Sequence, residues 1–291
     1  MTTIGFIGLG IMGGPMAEHL IAAGNQVAGF SLGSEWGPRL SAAGGRVAVD
    51  IADAVADVDV VITMLPNHPE VEHVVLGDKG VLASARPGTL LIDMSTIRPE
   101  SSTAIATAAA ERDIRVLDAP VSGGEAGAKQ GTLSIMVGGS AEDFAAAQPI
   151  LDAVGKTIVH VGPHGAGQTV KAANQLVVAG TFALVSEAIV LLEASGVDAK
   201  AGLDVLAGGL AASRILDLKR ESMLARQFTP GFRIDLHHKD MGIATAAARS
   251  ADVALPVTGL IAQLMAAARS MGFGSLDHSA LLKVIEALSG R

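Results

Sequence analysis

The stretch "IGFIGLGIMGGPM", residues 4–16, decides the fold. Ile4–Ile7 is a short apolar run, which suits a buried strand of a parallel sheet. Gly8, Gly10 and Gly13 follow at G-x-G-x-x-G spacing, and alanine-rich helical sequence continues to about Ala23, where Gly24-Asn25 closes it. The spacing alone is weak in a chain with 35 glycines. Its place, after a strand and at the opening of a helix, gives it weight. Gly8 permits a tight turn, Gly10 lets the backbone approach a pyrophosphate, and Gly13 lets helix and strand pack closely. The helix start then offers N–H donors and the positive end of its dipole to the anion. Ile11 and Met12 lie inside the motif and count with its glycines as cofactor contacts.

Outward from this motif, strands are expected at 26–30, 58–65, 89–94 and 114–120, with 132–139 and 157–162 extending the sheet. Helical sequence separates most of them. Strands alternating with helices imply an α/β fold with a parallel, doubly wound sheet. Residues 168–195 read as one long helix, apolar nearly all round and therefore buried between domains or subunits. From Gly196 to Arg291 only helical segments and turns are visible. The expected plan is a Rossmann-type domain over 1–163 and an all-helical domain over 164–291.

Composition bounds the function. The 291 residues are 49% hydrophobic and 17% charged, enough for two cores. A net charge of −8 without any basic run gives nucleic acid no foothold. The absence of cysteine excludes disulfides, thiolate catalysis and Cys-ligated zinc. The N-terminus has no basic signal-peptide region, and the longest apolar run, Leu176–Val185, is ten residues, about half a membrane span. A soluble, cytoplasmic protein is expected.

Several residues stand out chemically. The second strand ends in "FSLGSE" (30–35), and its tip at 31–34 holds neither the carboxylate that selects NAD nor the arginine that selects NADP. Ser31 and Ser34 can bond either cofactor, so the choice stays open. Ser122-Gly123-Gly124 follows a strand end and reads either as an anion-binding nest or as a plain turn. Lys171, Asn174 and Gln175 share a face of the long helix. A lysine in apolar surroundings suits proton transfer; the alternative is a side chain snorkelling to solvent. "PGFRIDLHHKD" (230–240) is rich in titratable groups, but adjacent side chains do not face one another on a helix, so His237 and His238 are not expected to bind metal. They read as supports or solvated neighbours, as do Arg233 and Asp235. His160 and His164 flank Gly and Pro, which removes any helical alignment. Asp118 reads as a strand-end residue with a structural hydrogen bond.

Together, "GFIGLGIMGGPMAEHL", "ITMLPN", "LIDMST", "DAPVSGGEAGAKQGTLSIMVGG", "GAGQTVKAANQ" and "HHKD" resemble the β-hydroxyacid dehydrogenase family, from Ile4 to beyond residue 278. The resemblance implies an NAD- or NADP-dependent oxidoreductase with its site between a Rossmann-type and a helical domain, and a homodimer or homotetramer. It implies that Lys171 is the catalytic acid/base, that Ser122, Gly123 and Gly124 hold a substrate carboxylate, and that Asn174 orients the substrate beneath Phe232. Leu65, Pro66, Thr96 and Lys239, with Asp240 beside it, fall on the cofactor side. No metal is implied. Members acting on 3-hydroxyisobutyrate usually carry two asparagines where this chain has Asn174-Gln175. Within the family, "VSGGEAGAKQGTLSIMVGG", "KAANQ", "GGLAASRILDLK", "PGFRIDLHHKD" and "DHSAL" most resemble members that reduce tartronate semialdehyde (2-hydroxy-3-oxopropanoate) to glycerate, and that is the reaction the resemblance implies. Another short β-hydroxyacid or semialdehyde is the alternative, and a non-catalytic cofactor-binding protein the third. Imine reductases typically replace the lysine, which disfavours them. Arg214 falls in a segment resembling the family's inter-domain region and is a weaker candidate for a substrate carboxylate.

Overall fold

The computed structural model describes residues 1–33 and 35–291; Ser34 lies outside the described residues. The chain forms two compact units, Met1–Lys171 and Ala172–Arg291. The first opens with β1 (Thr3–Ile7), α1 (Gly13–Ala22), β2 (Gln26–Phe30), α2 (Gly37–Ala42), β3 (Arg46–Val47), α3 (Ile51–Val55), β4 (Val60–Thr63), α4 (His68–Leu76) and α5 (Val81–Ser84). It continues with β5 (Leu90–Asp93), α6 (Pro99–Ala110), β6 (Arg115–Asp118), β7 (Val121–Ser122), α7 (Gly124–Gln130), β8 (Leu133–Gly138), α8 (Ala141–Leu151) and β9 (Gly155–Gly162). α9 (Ala166–Ala194) begins in the first unit and ends in the second, where α10 (Ala199–Ala207), α11 (Arg214–Leu224), α12 (Ile234–Ser250), α13 (Pro256–Ser270) and α14 (Leu281–Leu288) follow.

The strand order is β3-β2-β1-β4-β5-β6-β8-β7, with β9 paired to β8. β1 lies parallel to both β2 and β4, so the order reverses beside the glycine loop, where doubly wound sheets bind their ligands. Parallel pairing extends to β6. The expectation of an all-parallel sheet needs one correction: β8 runs antiparallel to β6 and to β7. Only Ala119-Pro120 separates β6 from β7, and the short α7 returns the chain. Neither connection is long enough for a parallel crossover, which needs a dozen or more residues. β3 and β7 have two residues each, too few to leave an alternating signature.

Both sheet faces are covered. Ile4, Phe6, Ile62 and Ile92 pack with Met16 and Leu20 of α1 on one side. Ile7, Val61 and Leu91 pack with Val55, Val71 and Ile105 on the other. Hence every residue of β4 and β5 is buried, and both read as unbroken apolar runs. In the second unit Phe182 and Ile189 of α9 join Leu203, Leu216, Met241 and Leu281 in a separate core.

By length and composition α9 is apolar enough to cross a membrane, more than its longest apolar run suggests. It has 44% of its most apolar window buried inside the protein, and it carries buried Gln168, Lys171 and Gln175.

A buried carboxyl ends β5. Asp93 is 3% exposed, and its Oδ1 accepts from Thr63 Oγ1 at 2.7 Å and the Ser95 N–H at 3.2 Å. Its Oδ2 has no hydrogen-bond partner among the described residues. Burial pushes its pKa from 3.8 up to about 6, with the neighbouring Asp118 adding to the rise against these hydrogen bonds. A raised carboxyl favours the folded state fully below the unfolded value, and that advantage is lost as pH rises through the folded value. The difference corresponds to about 3 kcal/mol lost between about pH 4 and pH 6. Asp93→Asn does not titrate, so its stability relative to the native chain should rise by about that amount between pH 4 and pH 7. Urea unfolding at both pH values measures the difference; a pH-independent difference would refute the assignment.

Candidate active site

The glycine loop is shaped by clashes that only glycine avoids. Gly8 has φ +101°, and its N–H donates to the Phe30 carbonyl at 2.9 Å. A Cβ there would strike the Met64 carbonyl, and one on Gly13 would strike the Gly8 carbonyl. Gly10 differs: a Cβ would meet nothing within 4 Å, so this side of the loop is open. No side chain caps the start of α1 at Met12; the Gly14 N–H donates to the Gly10 carbonyl at 2.9 Å and Pro15 has no N–H, so Gly13 carries the remaining donor of the first turn. Half-buried Met12 packs on the core, while Ile11 is exposed. The adjoining groove is lined by Leu9, Gly10, Ile11, Ser31, Glu35 and Trp36. Arg39 lies 4.1 Å over the Trp36 ring and pairs with Glu18 at 3.0 Å. Open backbone at Gly10 and the adjoining groove fit a dinucleotide. Ser34 lies outside the described residues.

Other candidates collect at the carboxyl ends of the strands. The Leu65 N–H donates to Ser95 Oγ at 2.9 Å, which ties the loop after β4, with exposed Pro66, to the loop after β5, with half-buried Thr96. Ser122 ends β7. Gly123 and Gly124 have φ +134° and +60°, and no side chain caps α7. Two successive glycines with positive φ thus lead from β7 into α7.

The start of α9 is tied to two strand ends. Asp118, fully buried on β6, accepts the Gly165 N–H on Oδ1 at 2.8 Å and the Gln168 N–H on Oδ2 at 3.0 Å. Burial pushes its carboxyl up, against these two amides and His164, which pull it down. Gln168 accepts the Ile97 N–H at 3.0 Å and donates to the Ser95 carbonyl at 2.9 Å. Lys171 follows three residues later and is 6% exposed, so the snorkelling alternative fails.

In the second unit, Asn174 Nδ2 donates to Gln175 Oε1 at 2.8 Å, and Gln175 Nε2 donates to Asp240 Oδ2 at 2.6 Å. Asp240 is 1% exposed and pairs through Oδ1 with Lys239 at 2.9 Å. His237 is not solvated. It is fully buried, and its Nε2 donates to the Gln175 carbonyl at 3.1 Å. That leaves His237 Nδ1 to accept from His278 Nδ1, 3.0 Å away. The half-buried Phe232 ring stands edge-on to both imidazoles, 5.6 and 5.4 Å between centroids. Its turn is held by Asp277, whose Oδ2 accepts the Gly231 and Phe232 N–H groups and whose Oδ1 pairs with Lys219 at 2.9 Å. Burial would raise the Asp277 carboxyl, but the charge of His278, the Ser279 hydroxyl and Lys219 hold it at about 2. Asp235 pairs with Arg269, and Arg233 and Arg214 are exposed. His238 is half-buried; desolvation and the charge of Arg269 lower its pKa. Among the described residues no group of three His, Asp or Glu side chains is placed to hold a metal.

Sequence reasoning assigned no role to Gln168, Asp277, His278 or Asp93. Gln168 had a signal, a polar side chain one turn before Lys171 on an apolar helix. The others depend on contacts 30 or more residues distant, which leave no local pattern.

Residues 3–162 match the family described as the NAD binding domain of 6-phosphogluconate dehydrogenase. Residues 165–285 match that described as NAD-binding of NADP-dependent 3-hydroxyisobutyrate dehydrogenase. The chain is 41% identical to the 2-hydroxy-3-oxopropionate reductase of Escherichia coli, with 98% of each covered. It is 39% identical to the NAD-dependent L-serine dehydrogenase of Pseudomonas aeruginosa, with both covered fully. The solved 3-hydroxyisobutyrate dehydrogenase of Mycobacterium tuberculosis with L-serine superposes at TM-score 0.88 and 36% identity, covering 98% of this chain and 99% of that one. Agreement of motif order, topology and full-length similarity leads to one conclusion: the chain belongs to the NAD(P)-dependent β-hydroxyacid dehydrogenase family.

Proposed function

We propose that this enzyme reduces tartronate semialdehyde to glycerate, with Lys171 as the proton donor. The observation that carries the reading is Lys171 itself, a lysine 6% exposed one turn beyond the anchored start of α9. A bound nicotinamide supplies the hydride when the aldehyde is reduced. Lys171 Nζ holds the proton that the forming alkoxide takes, and its positive charge stabilises the oxyanion. In the reverse direction it is the base. Ser122, Gly123 and Gly124 bind the substrate carboxylate through backbone N–H groups. Asn174 orients the substrate, and Phe232 supplies an apolar cover. Gly8, Gly10, Ile11, Met12, Gly13 and Ser31 bind the dinucleotide, with Leu65, Pro66, Thr96, Lys239 and Asp240 on the cofactor side. The domains divide at 163/164, a division that the family matches over 3–162 and 165–285 support.

Two observations support this substrate: the 41% identity to a 2-hydroxy-3-oxopropionate reductase, and glutamine at 175 linking Asn174 to Asp240. The L-serine dehydrogenase relative favours a second reading, a different short β-hydroxyacid with the same carboxylate and β-hydroxyl. Discrimination over one methylene is only about 1–3 kcal/mol, so activity must be ranked. A kcat/KM panel of tartronate semialdehyde, 3-hydroxyisobutyrate, L-serine, succinic semialdehyde and glyoxylate, each with both coenzymes, separates the two. Tartronate semialdehyde should lead by about tenfold or more; a lower rank overturns the substrate assignment. Lys171→Ala should lose about 10²–10⁴-fold in kcat. Near-native turnover would refute the proton-donor role.

Trp36 is the chain's single tryptophan and lines the dinucleotide groove. NADH or NADPH should quench its fluorescence in the native chain and in Lys171→Ala alike. An unchanged signal at saturating coenzyme would place the nucleotide elsewhere.

We also propose a cytoplasmic homodimer or homotetramer whose only partners are small molecules. Val177, Leu184 and Leu191 repeat every seven residues along α9 and are 62%, 67% and 67% exposed. An apolar stripe at that period suits a second helix. Leu184→Glu with Leu191→Glu should sediment as a monomer where the native chain does not; a native monomer would refute the assembly.

A further inference from the structure

We propose that Asp118 and Gln168 form a latch that sets the position of Lys171, and through it the rate of proton transfer. The proposal rests on the proton-donor reading of Lys171. The first N–H groups of an α-helix lack intrahelical partners. At α9 one carboxylate takes two of them, the Gly165 N–H on Oδ1 and the Gln168 N–H on Oδ2. Two bonds from a single planar group hold the first turn against both sliding and rotation. Asp118 is itself held in the sheet, between Asp93 on β5 and Gly138 on β8.

Gln168 adds two bonds to a different segment, the loop after β5. Its amide accepts the Ile97 N–H and donates to the Ser95 carbonyl, and the residue is 1% exposed. Its backbone is therefore held from β6 and its side chain from the loop after β5. Lys171 lies three residues on, within one rigid turn, so displacement of Gln168 carries to it directly.

The site has no slack. A Cβ on Gly138 would lie 2.5 Å from Asp118 Oδ1, and one on Gly167 would lie 2.8 Å from Oδ2. Glycine at both positions lets the carboxylate reach the helix, and a longer acid would not fit. An ordinary helix cap needs neither the second amide nor the side-chain clasp of Gln168. The pair is built to position as well as to cap. A misplacement of about 1 Å at a reacting group can cost about 10²-fold in rate.

Asp118→Asn tests the latch, because an amide presents one acceptor and turns its NH₂ against a backbone N–H. Gln168→Met keeps the approximate volume, removes both side-chain bonds and serves if the first variant does not fold. In variants that retain coenzyme-dependent Trp36 quenching, kcat should fall about tenfold to a hundredfold. KM should change much less, and the pH limb of kcat that reports the proton donor should move. In single-turnover rates, Asp118→Asn should add no further loss to Lys171→Ala. Native kcat and pH limb in Asp118→Asn and Gln168→Met, with turnover lost in Lys171→Ala, overturn the latch alone. A multiplied loss in the double variant also overturns it, since Asp118 would then act apart from Lys171. Native turnover in Lys171→Ala overturns the proton-donor reading and the latch with it.

Discussion

One carboxylate joins the sheet to the helix that carries the candidate proton donor. Asp118 stands at the end of β6 and accepts two N–H groups from the start of α9. An ion so deeply buried is costly unless its lone pairs are satisfied. Two amides and the positive end of a 29-residue helix dipole satisfy it, while burial still raises its pKa. The start of α9 is tied to this group, and Lys171 with it.

The same constraint explains the glycines around it. A doubly wound sheet places its loops at the carboxyl ends of the strands, where backbones must pass close to one another. Gly8 and Gly13 clear backbone carbonyls, and Gly138 and Gly167 clear Asp118. Gly10 alone among these faces open space, which is the position where a ligand needs it. Asp93, beside Asp118 on the next strand, shows the cost of burying a carboxyl there: burial lifts its pKa to about 6, and Asp118 adds a smaller rise.

The second unit solves a different problem, the polarity of two amides. A carboxylate only accepts, so Asp240 draws the NH₂ of Gln175. The carbonyl oxygen of Gln175 then faces Asn174, whose NH₂ donates to it. The chain from Asp240 to Asn174 thus has one direction, and the carboxylate sets it. His237 supports the same turn of α9 from below by donating to the Gln175 carbonyl, and its other nitrogen accepts from His278. Adjacent histidines in "HHKD" therefore have separate surroundings, one in the core and one at its edge.

The sequence by itself determined the α/β class, most strands to within two residues, the long helix and the polar cluster at Lys171, Asn174 and Gln175. These follow from local rules: glycine spacing, apolar runs and helical periodicity act over a few residues. It did not reveal the antiparallel β8, because two-residue β3 and β7 leave no alternation to read and strand direction depends on connection length. It read Asp118 as a strand-end residue with a structural hydrogen bond but not which amides it holds, and it did not reveal what Gln168 and Asp277 do. Their distant partners lie 46 to 73 residues away. Only the closed tertiary fold brings them within 3 Å, since hydrogen bonds require contact and sequence separation does not encode it.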